Sequence, residues 1–282
     1  MSTDTRTAGK RGARAGNAHP ELRLSNFKTT APTPPPTGDV TSGITAWGMD
    51  GNDQYGCCGP AATDHYQVAK LGDTSLIGKL GGVGPVPLYF EYGIAQGEPG
   101  PQPDQGVDND LWLQFLFNKG IIEAFAELDF TNVDEVHQAM LDYRGVLISV
   151  ELTDDAEQLF NSKQPWTLAN GESPDPNEGH DILLVKYGPE GDTFVTWGAL
   201  QLSTIPWDNS CITSAWVIIT SEDAERTGVD IAALQNQIRA WGGKVDTTTP
   251  PAPAPTPAPT PAPVVPADPW WVRFWNWLRE GF

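Results

Sequence analysis

The chain has 282 residues, of which 39% are hydrophobic and 19% charged, so it is long enough to bury one sizeable core. Its 17 Lys and Arg against 36 Asp and Glu give a net charge of −19, which argues against binding of the phosphate backbone of nucleic acids by the body of the protein. No run of about 20 apolar residues occurs and the first 25 residues lack a signal-peptide core, so we expect synthesis in the cytoplasm without a membrane span. Three cysteines do not form an even disulfide framework, and free thiols are expected, with a Cys57–Cys58 bond left open.

The N-terminal part differs in charge from the rest of the chain. Residues 1–38 hold six basic and two acidic side chains, whereas residues 39–245 hold nine basic and 31 acidic ones. Prolines at 32, 34, 35 and 36 favour extended backbone. Residues 1–43 are therefore predicted to be a basic, Pro-rich, disordered arm that is solvated, with contact to nucleic acid or to the inside of a capsid as the alternative.

The C-terminal part predicts a tethered helix. Residues 246–267 are rich in Pro, Ala and Thr and read as an extended linker of about 60 Å. Residues 268–282 have helix-start and helix-stop signals at Asp268, Pro269 and Gly281. The aromatic and apolar side chains predicted to dock are Trp270, Trp271, Phe274, Trp275, Trp277 and Leu278. Docking on a partner protein is favoured; an interfacial membrane helix and folding back on the main domain are the alternatives.

The main domain, residues 44–245, combines helical and strand patterns. Apolar residues at helical spacing predict helices over 59–72, 108–120, 132–145 and 229–243. Apolar runs bounded by turn residues predict strands over 146–152, 181–188, 193–202 and 214–220. Helices followed by an antiparallel sheet predict an α+β domain.

Residues 52–66, NDQYGCCGPAATDHY, carry the strongest indication of chemistry. Cys58 lies at the start of a predicted helix, where the helix dipole favours the thiolate. Asn52 precedes it by six residues, and its amide is suited to hydrogen bonding with a developing oxyanion. A small buried cysteine at a helix end is the structural alternative.

A nucleophilic cysteine needs a base, and four histidines are available. His19 lies in the arm. His65 lies on the same predicted helix as Cys58, about 10 Å from it along the helix axis, which is too far for a direct hydrogen bond. His137 is placed within an amphipathic helix. His180, which stands at the start of a strand after a long polar loop, is by elimination the best candidate.

The segments CCGPAA, GHDILLVKYG, TFVTWGALQL and AWVII, in this order, resemble the papain-like cysteine peptidases. The resemblance covers about residues 45–222 and extends to papain-like proteins of actinobacteria and their phages. It implies a papain-like fold in which Cys58 is the nucleophile and His180 the general base. It also implies that Asn52 is the oxyanion donor, with Gln54 as an alternative, and that Trp197 shields the histidine from water.

The chain departs from the papain-like pattern at the residue that orients the histidine. An Asn or Asp is expected about two residues before the tryptophan, but Val195 and Thr196 occupy this region. Thr196 is the candidate for a weak orienting group. The departure leaves the level of activity open.

Two function classes follow. The first is a thiol peptidase, associated with a phage virion, that cleaves an amide bond in a peptide or in peptidoglycan through a Cys–His pair. The second is a catalytically weak or inactive papain-like component of a phage particle, such as a minor tail or head-surface protein, docked by its C-terminal helix. Acyl transfer to an amine is a third possibility. No cofactor is expected, and the Cys and His spacings indicate no metal site.

Overall fold

The computed structural model describes residues 6–14, 18–28, 32–168 and 171–242. By its internal contacts the chain divides into two units, Met1–Ile238 and Arg239–Phe282. The site described below lies in the first unit. Within the described ranges, every helix is too short or too polar to cross a membrane.

The described residues form eight α-helices and seven strands. The helices are α1 (Cys58–Leu71), α2 (Pro85–Ala95), α3 (Asn109–Asn118), α4 (Val133–Tyr143), α5 (Ala156–Asn161), α6 (Ile205–Cys211), α7 (Ser221–Thr227) and α8 (Ile231–Trp241). The strands are β1 (Gly38–Asp39), β2 (Ala124–Glu127), β3 (Val146–Glu151), β4 (Gly179–Gly188), β5 (Gly191–Thr196), β6 (Ala199–Leu202) and β7 (Ile212–Ile219).

The strands build one antiparallel sheet in the order β2-β7-β3-β4-β5-β6, and β1 pairs with the far end of β4. Strand β4 is central and is buried from His180 to Val185, so its side chains face packed layers on both sides of the sheet. Helix α1 packs against β4 and is itself buried from Cys58 to Tyr66. This packing places the first turn of α1 beside the first residues of β4.

The predicted helices and strands are found, with shifted ends. Helices α1, α3, α4 and α8 lie within one to two residues of the predicted ranges. The predicted strand over 193–202 is two strands, β5 and β6, because Trp197 and Gly198 both have positive φ (44° and 71°) and form a turn. Strand β4 begins at Gly179, so His180 lies inside the strand.

The N-terminal arm differs from the predicted solvated tail in the ranges that the structure describes. Leu22 and Leu24 are buried, and the His19 Nε2 lies 2.8 Å from the Asp110 carboxylate. Arg23 Nε lies 3.1 Å from Glu127. The physical reason is that the arm brings apolar side chains and positive charges to a strongly acidic body. The predicted linker 246–267 and docking helix 268–282 lie outside the described residues.

Candidate active site

The first turn of α1 holds the candidate nucleophile. Cys58 is the first residue of the helix, and a turn closed by the hydrogen bond from Tyr55 N–H to Gly51 O (3.0 Å) leads into it. The second residue of the helix must be small: a Cβ on Gly59 would lie 2.9 Å from Asp181 Oδ2 and 2.5 Å from Val107 Cγ2. The helix end therefore approaches β4 closely.

The Cys58 thiol is buried, with 1% of the residue exposed. Its Sγ lies 3.9 Å from Asp181 Oδ2. Burial raises the pKa of the Cys58 thiol well above its ordinary value and the Asp181 carboxylate raises it further, while backbone N–H groups of Asp181 and Gly12 oppose this rise. In this conformation the thiol is protonated at neutral pH, although the helix dipole alone favours the thiolate. All three cysteines are free.

Asp181 is a buried carboxyl group at the site, and it is not among the candidate site residues predicted from the sequence. It accepts hydrogen bonds from Ser149 Oγ (2.7 Å) and Asn109 Nδ2 (2.8 Å). Burial raises its pKa to about 7, and the two hydrogen bonds act in the opposite direction. The available signal was an aspartate directly before the apolar run ILLV, where a strand packed on both faces rarely carries a charge.

His180 is buried beside its two sequence-predicted neighbours. Its Nε2 lies 2.7 Å from Thr196 Oγ1, and its ring centroid lies 4.6 Å from that of Trp197. Its Nδ1 has no hydrogen-bond partner among the described residues. Burial lowers the pKa of His180 to about 3, and the positive charge of Arg11 contributes to the same direction. The imidazole is therefore neutral at neutral pH.

The structure does not join the candidate nucleophile and base directly. The hydrogen bonds among the described residues include none between Cys58 and His180. The two residues belong to adjacent parts of the fold, since His180 immediately precedes Asp181, whose side chain contacts the Cys58 sulfur. Burial thus favours a neutral thiol and a neutral imidazole, and no hydrogen bond for proton transfer joins the two described side chains.

The two candidate oxyanion donors have different surroundings. Asn52 is 2% exposed, and its Nδ2 donates to the carbonyl oxygens of Lys10 (2.8 Å) and Tyr55 (3.1 Å). The side chain of Gln54 is exposed, and its backbone N–H donates to Gly51 O (2.9 Å). Of the two, Asn52 is the amide that already holds a peptide carbonyl oxygen.

Residues 9–14, here named the cleft strand, lie across these groups and form an isolated β-bridge at Ala13. On one wall Ala13 N–H donates to Gly179 O (3.2 Å). On the other wall Arg14 N–H donates to Val107 O (2.9 Å) and Val107 N–H donates to Gly12 O (2.8 Å), which makes a short parallel bridge. The cleft strand thus fills a groove between the start of β4 and the loop before α3.

The same strand occupies the polar groups of the candidate site. The Lys10 carbonyl oxygen accepts from Asn52 Nδ2 and from Trp197 Nε1 (3.3 Å). The Gly12 N–H lies near enough to the Cys58 thiol to lower its pKa. A peptide carbonyl at the candidate oxyanion donor and a peptide amide at the thiol are what a bound peptide would present, and here the chain itself supplies both.

The other histidines are held away from Cys58 by partners of their own. His65 Nε2 lies 2.8 Å from Gly48 O and 3.1 Å from Asp50 Oδ2. His137 Nε2 lies 2.8 Å from Asp192, and its ring stacks on Tyr187 at 3.8 Å. His137 therefore has a polar partner, which its helix pattern did not indicate.

No protein-family model matches the chain, and no curated protein sequence matches it. A solved structure does: xylellain, a cysteine protease from Xylella fastidiosa, matches with a TM-score of 0.57 and 11% sequence identity. The match covers 78% of this chain and 99% of xylellain. The fold is papain-like. At this identity the likeness concerns the papain-like fold and leaves the chemistry to the site residues themselves.

Proposed function

We propose that the protein is a thiol peptidase in which Cys58 attacks an amide carbonyl and His180 is the base. One observation supports this proposal most: the cleft strand, a peptide, already lies with a carbonyl oxygen on Asn52 Nδ2 and an amide on the Cys58 sulfur. A groove that binds peptide backbone at a thiol on a helix N-terminus is suited to acyl transfer from a peptide.

The reaction follows from these positions once the cleft strand has left. The Cys58 proton passes to His180, and the thiolate adds to the carbonyl carbon, so that a C–S bond forms and the carbonyl oxygen becomes an oxyanion. Asn52 Nδ2 and the Cys58 backbone N–H hold this oxyanion. His180 returns the proton to the leaving amine as the C–N bond breaks, and water then hydrolyses the thioester.

Departure of the cleft strand favours the charge transfer for an electrostatic reason. Arg11 lies in this strand and lowers the pKa of His180, and burial raises the pKa of Cys58. Removing the Arg11 charge favours the His180 imidazolium, and the water that enters stabilises both the imidazolium and the Cys58 thiolate. The described conformation is accordingly an inhibited form of the proposed peptidase.

The test is peptide cleavage by full-length protein, read by mass spectrometry on a mixed peptide library. The Gly12→Val variant, whose Cβ would lie 1.8 Å from Gly56 O, displaces the cleft strand and is expected to cleave faster than the wild type. Adding Cys58→Ala to it should abolish cleavage, whereas adding Cys57→Ala, at the neighbouring buried thiol, should not. Cleavage that survives Cys58→Ala would reject the mechanism.

A second candidate, a catalytically silent papain-like binding component, is supported by one contact. The Cys58 sulfur faces the Asp181 carboxylate at 3.9 Å, and no hydrogen bond joins it to His180. The contact between Cys58 and Asp181 could persist after the cleft strand is displaced. In that case, Cys58 in the Gly12→Val variant will be alkylated by iodoacetamide as slowly as a buried thiol across pH 4–9. Fast alkylation that is lost in His180→Ala favours the peptidase.

The setting remains a proposal from the sequence. Residues 268–282 would dock on a partner protein of a phage particle, where the proposed peptidase meets peptide or peptidoglycan, with a membrane interface as the alternative. Deleting 268–282 should release the protein from its assembly without altering the cleavage of soluble peptides. Retention after deletion would count against this docking.

A further inference from the structure

The cleft strand carries two arginines, and each lies between acidic side chains of the body. Arg11 contacts Glu178 through Nη1 and Glu157 through Nη2 (2.9 Å). Its side chain is 19% exposed, so water screens these contacts only in part. Glu157 and Glu178 are here named the first acidic subsite.

Arg14 is held by a second acidic subsite, formed by Glu98, Asp108 and Tyr92. Its Nη1 lies 3.0 Å from Glu98 Oε1, its Nε 3.3 Å from Asp108 Oδ2, and its Nη2 3.2 Å from the Tyr92 hydroxyl. The Glu98 side chain is 7% exposed, and its second oxygen has no hydrogen-bond partner among the described residues. Burial raises the pKa of Asp108, and Arg14 opposes this rise. The Asp108 side chain is 20% exposed, so Glu98 is the nearly buried carboxylate of this subsite, and a buried carboxylate needs a cation beside it.

Between the two subsites the groove narrows to a neck that admits only glycine. A Cβ on Gly12 would lie 1.8 Å from Gly56 O. The walls are glycines as well: a Cβ on Gly106 would lie 1.9 Å from Gly12 O, and one on Gly179 would lie 2.3 Å from Ala13 O. Because backbone atoms form these walls, a side chain at this position has no room to turn aside.

We infer that the groove selects peptides with a glycine opposite Cys58 and an arginine on each side of it, one residue and two residues away. This inference rests on the proposed function, since it names the substrates that the same site would take. Residues 9–14 occupy the groove of their own chain, and segments of other proteins with the same pattern would bind there in the same way. The body, with 31 acidic and nine basic side chains over residues 39–245, attracts such basic segments from a distance.

The first test uses the full chain and measures how fast iodoacetamide alkylates Cys58. Arg11→Gln and Arg14→Gln each remove one subsite contact, and each is expected to raise the rate about tenfold by opening the groove. Lys79→Gln is the control, because it removes one positive charge at an exposed side chain outside the cleft strand. Its rate should stay within about twofold of the wild type.

If alkylation stays slow in every variant because the thiol remains buried, amide hydrogen exchange at Ala13 and Arg14 replaces it as the readout. Both amides are bonded to the groove walls and should exchange about tenfold faster in the two arginine variants than in Lys79→Gln. Exchange equal to that of the control would overturn the inference.

The second test uses a labelled peptide in trans, with the sequence RTAGKRGARAG of residues 6–16. Binding to full-length Gly12→Val/Cys58→Ser, followed by fluorescence anisotropy, should weaken about tenfold when either flanking arginine (residue 11 or 14 of the chain) is replaced by Gln in the peptide. It should be lost when the central glycine (residue 12) becomes Val. Glu98→Gln in the protein should remove the preference for the second arginine, whereas Glu190→Gln, at an exposed turn, should not.

The two proposals fail separately. Binding in Cys58→Ser needs no chemistry, so arginine-dependent binding without any cleavage rejects the peptidase and leaves the subsites. The proposed subsites are rejected, and the peptidase is retained, if cleavage does not depend on the arginines. The same holds if peptides with valine at the central position bind as well as peptides with glycine there. No binding of the peptide to the displaced variant also rejects the subsites.

Discussion

The buried imidazole of His180 depends on one hydroxyl group for its orientation. Thr196 Oγ1, 2.7 Å from Nε2, stands at the end of β5, one residue before the tryptophan that covers the ring. A threonine is neutral and can donate or accept, so it fixes the ring without adding the negative charge that would raise the pKa of the imidazole.

Replacing Thr196 by Val should therefore lower both stability and reactivity. Valine keeps the shape but leaves a buried ring nitrogen unpaired, at a cost of about 1–3 kcal/mol in the free energy of unfolding. Thr196→Ser, which keeps the hydroxyl, should stay within about 1 kcal/mol of the wild type. Urea unfolding measures both variants, and a loss in Thr196→Ser with none in Thr196→Val would show that the methyl group, not the hydrogen bond, matters here.

Asp181 predicts an unusual dependence of stability on pH. Its pKa is about 7 in the folded protein, compared with 3.8 for the unperturbed group. Between these values the folded state keeps a proton that the unfolded state has lost, so the free energy of unfolding falls as pH rises from about 4 to 7. Asp181→Asn has no charge at any pH and should remove this fall, about 2–4 kcal/mol over the interval.

Urea titrations of wild type and Asp181→Asn at pH 4.5, 6 and 8 measure this difference. The curves should diverge with rising pH, whatever constant offset the altered hydrogen bonds introduce. Glu190→Gln, at an exposed position, should run parallel to the wild type. A parallel course for Asp181→Asn as well would mean that the carboxyl group is ionised throughout.

Residues that match the papain-like spacing could be predicted from the sequence, and contacts outside that pattern could not. The sequence indicated Cys58 at a helix start and Thr196 as a neighbour of His180. It could not indicate Asp181 beside the thiol, because that contact depends on how closely α1 packs on β4. Nor could it indicate the cleft strand, whose backbone hydrogen bonds carry no side-chain signature.

At the scale of elements, the contact between α1 and β4 is made possible by Gly59. In an ordinary helix, glycine costs about 0.5–1 kcal/mol relative to alanine. Here the Cβ of alanine would press on Val107 and Asp181, at 2.5 and 2.9 Å. The close approach outweighs the helix preference.

Gly59→Ala is expected to destabilise the protein by about 1–3 kcal/mol in thermal or urea unfolding, the cost of overpacking a rigid site. It should also change the alkylation rate of Cys58, the preceding residue. The exposed helix position Ala232, replaced by Gly, is the comparison, since it should show only the ordinary helix preference. A stabilising Gly59→Ala would mean that the helix end moves freely.

Helices α2, α5, α6 and α7 were not predicted from the sequence, and each omission has a local physical reason. Helix α2 starts with Pro85-Val86-Pro87, and prolines usually indicate a break. In the first turn of a helix, however, backbone N–H groups have no partner within the helix, so prolines fit there. Helices α5, α6 and α7 have six or seven residues each, too few for a periodic pattern to stand out.

At the scale of the whole molecule, a basic segment is held on an acidic body. Partly exposed ion pairs contribute up to about 1 kcal/mol each and weaken with ionic strength. Raising KCl from about 20 mM to about 1 M should therefore open the groove and speed Cys58 alkylation several-fold. The papain-like body, held by apolar packing, should not loosen.

Cys211 in the same sample is the internal control. It is buried at the end of α6 and its alkylation reports on opening of the body. A rise for Cys58 alone supports electrostatic retention of the strand. Equal rises for both thiols would indicate that salt loosens the whole domain.

The ion pair of Arg11 with Glu178 joins residues 167 positions apart in the chain. Closing so long a loop costs more entropy than any local contact, and contacts of this separation form late in folding. During synthesis, residues 9–14 are made well before the loop that leads into β4 exists to receive them. A newly made molecule thus completes its sheet and its nucleophile helix first and closes its own groove last, so there is an early interval in which another polypeptide can enter it.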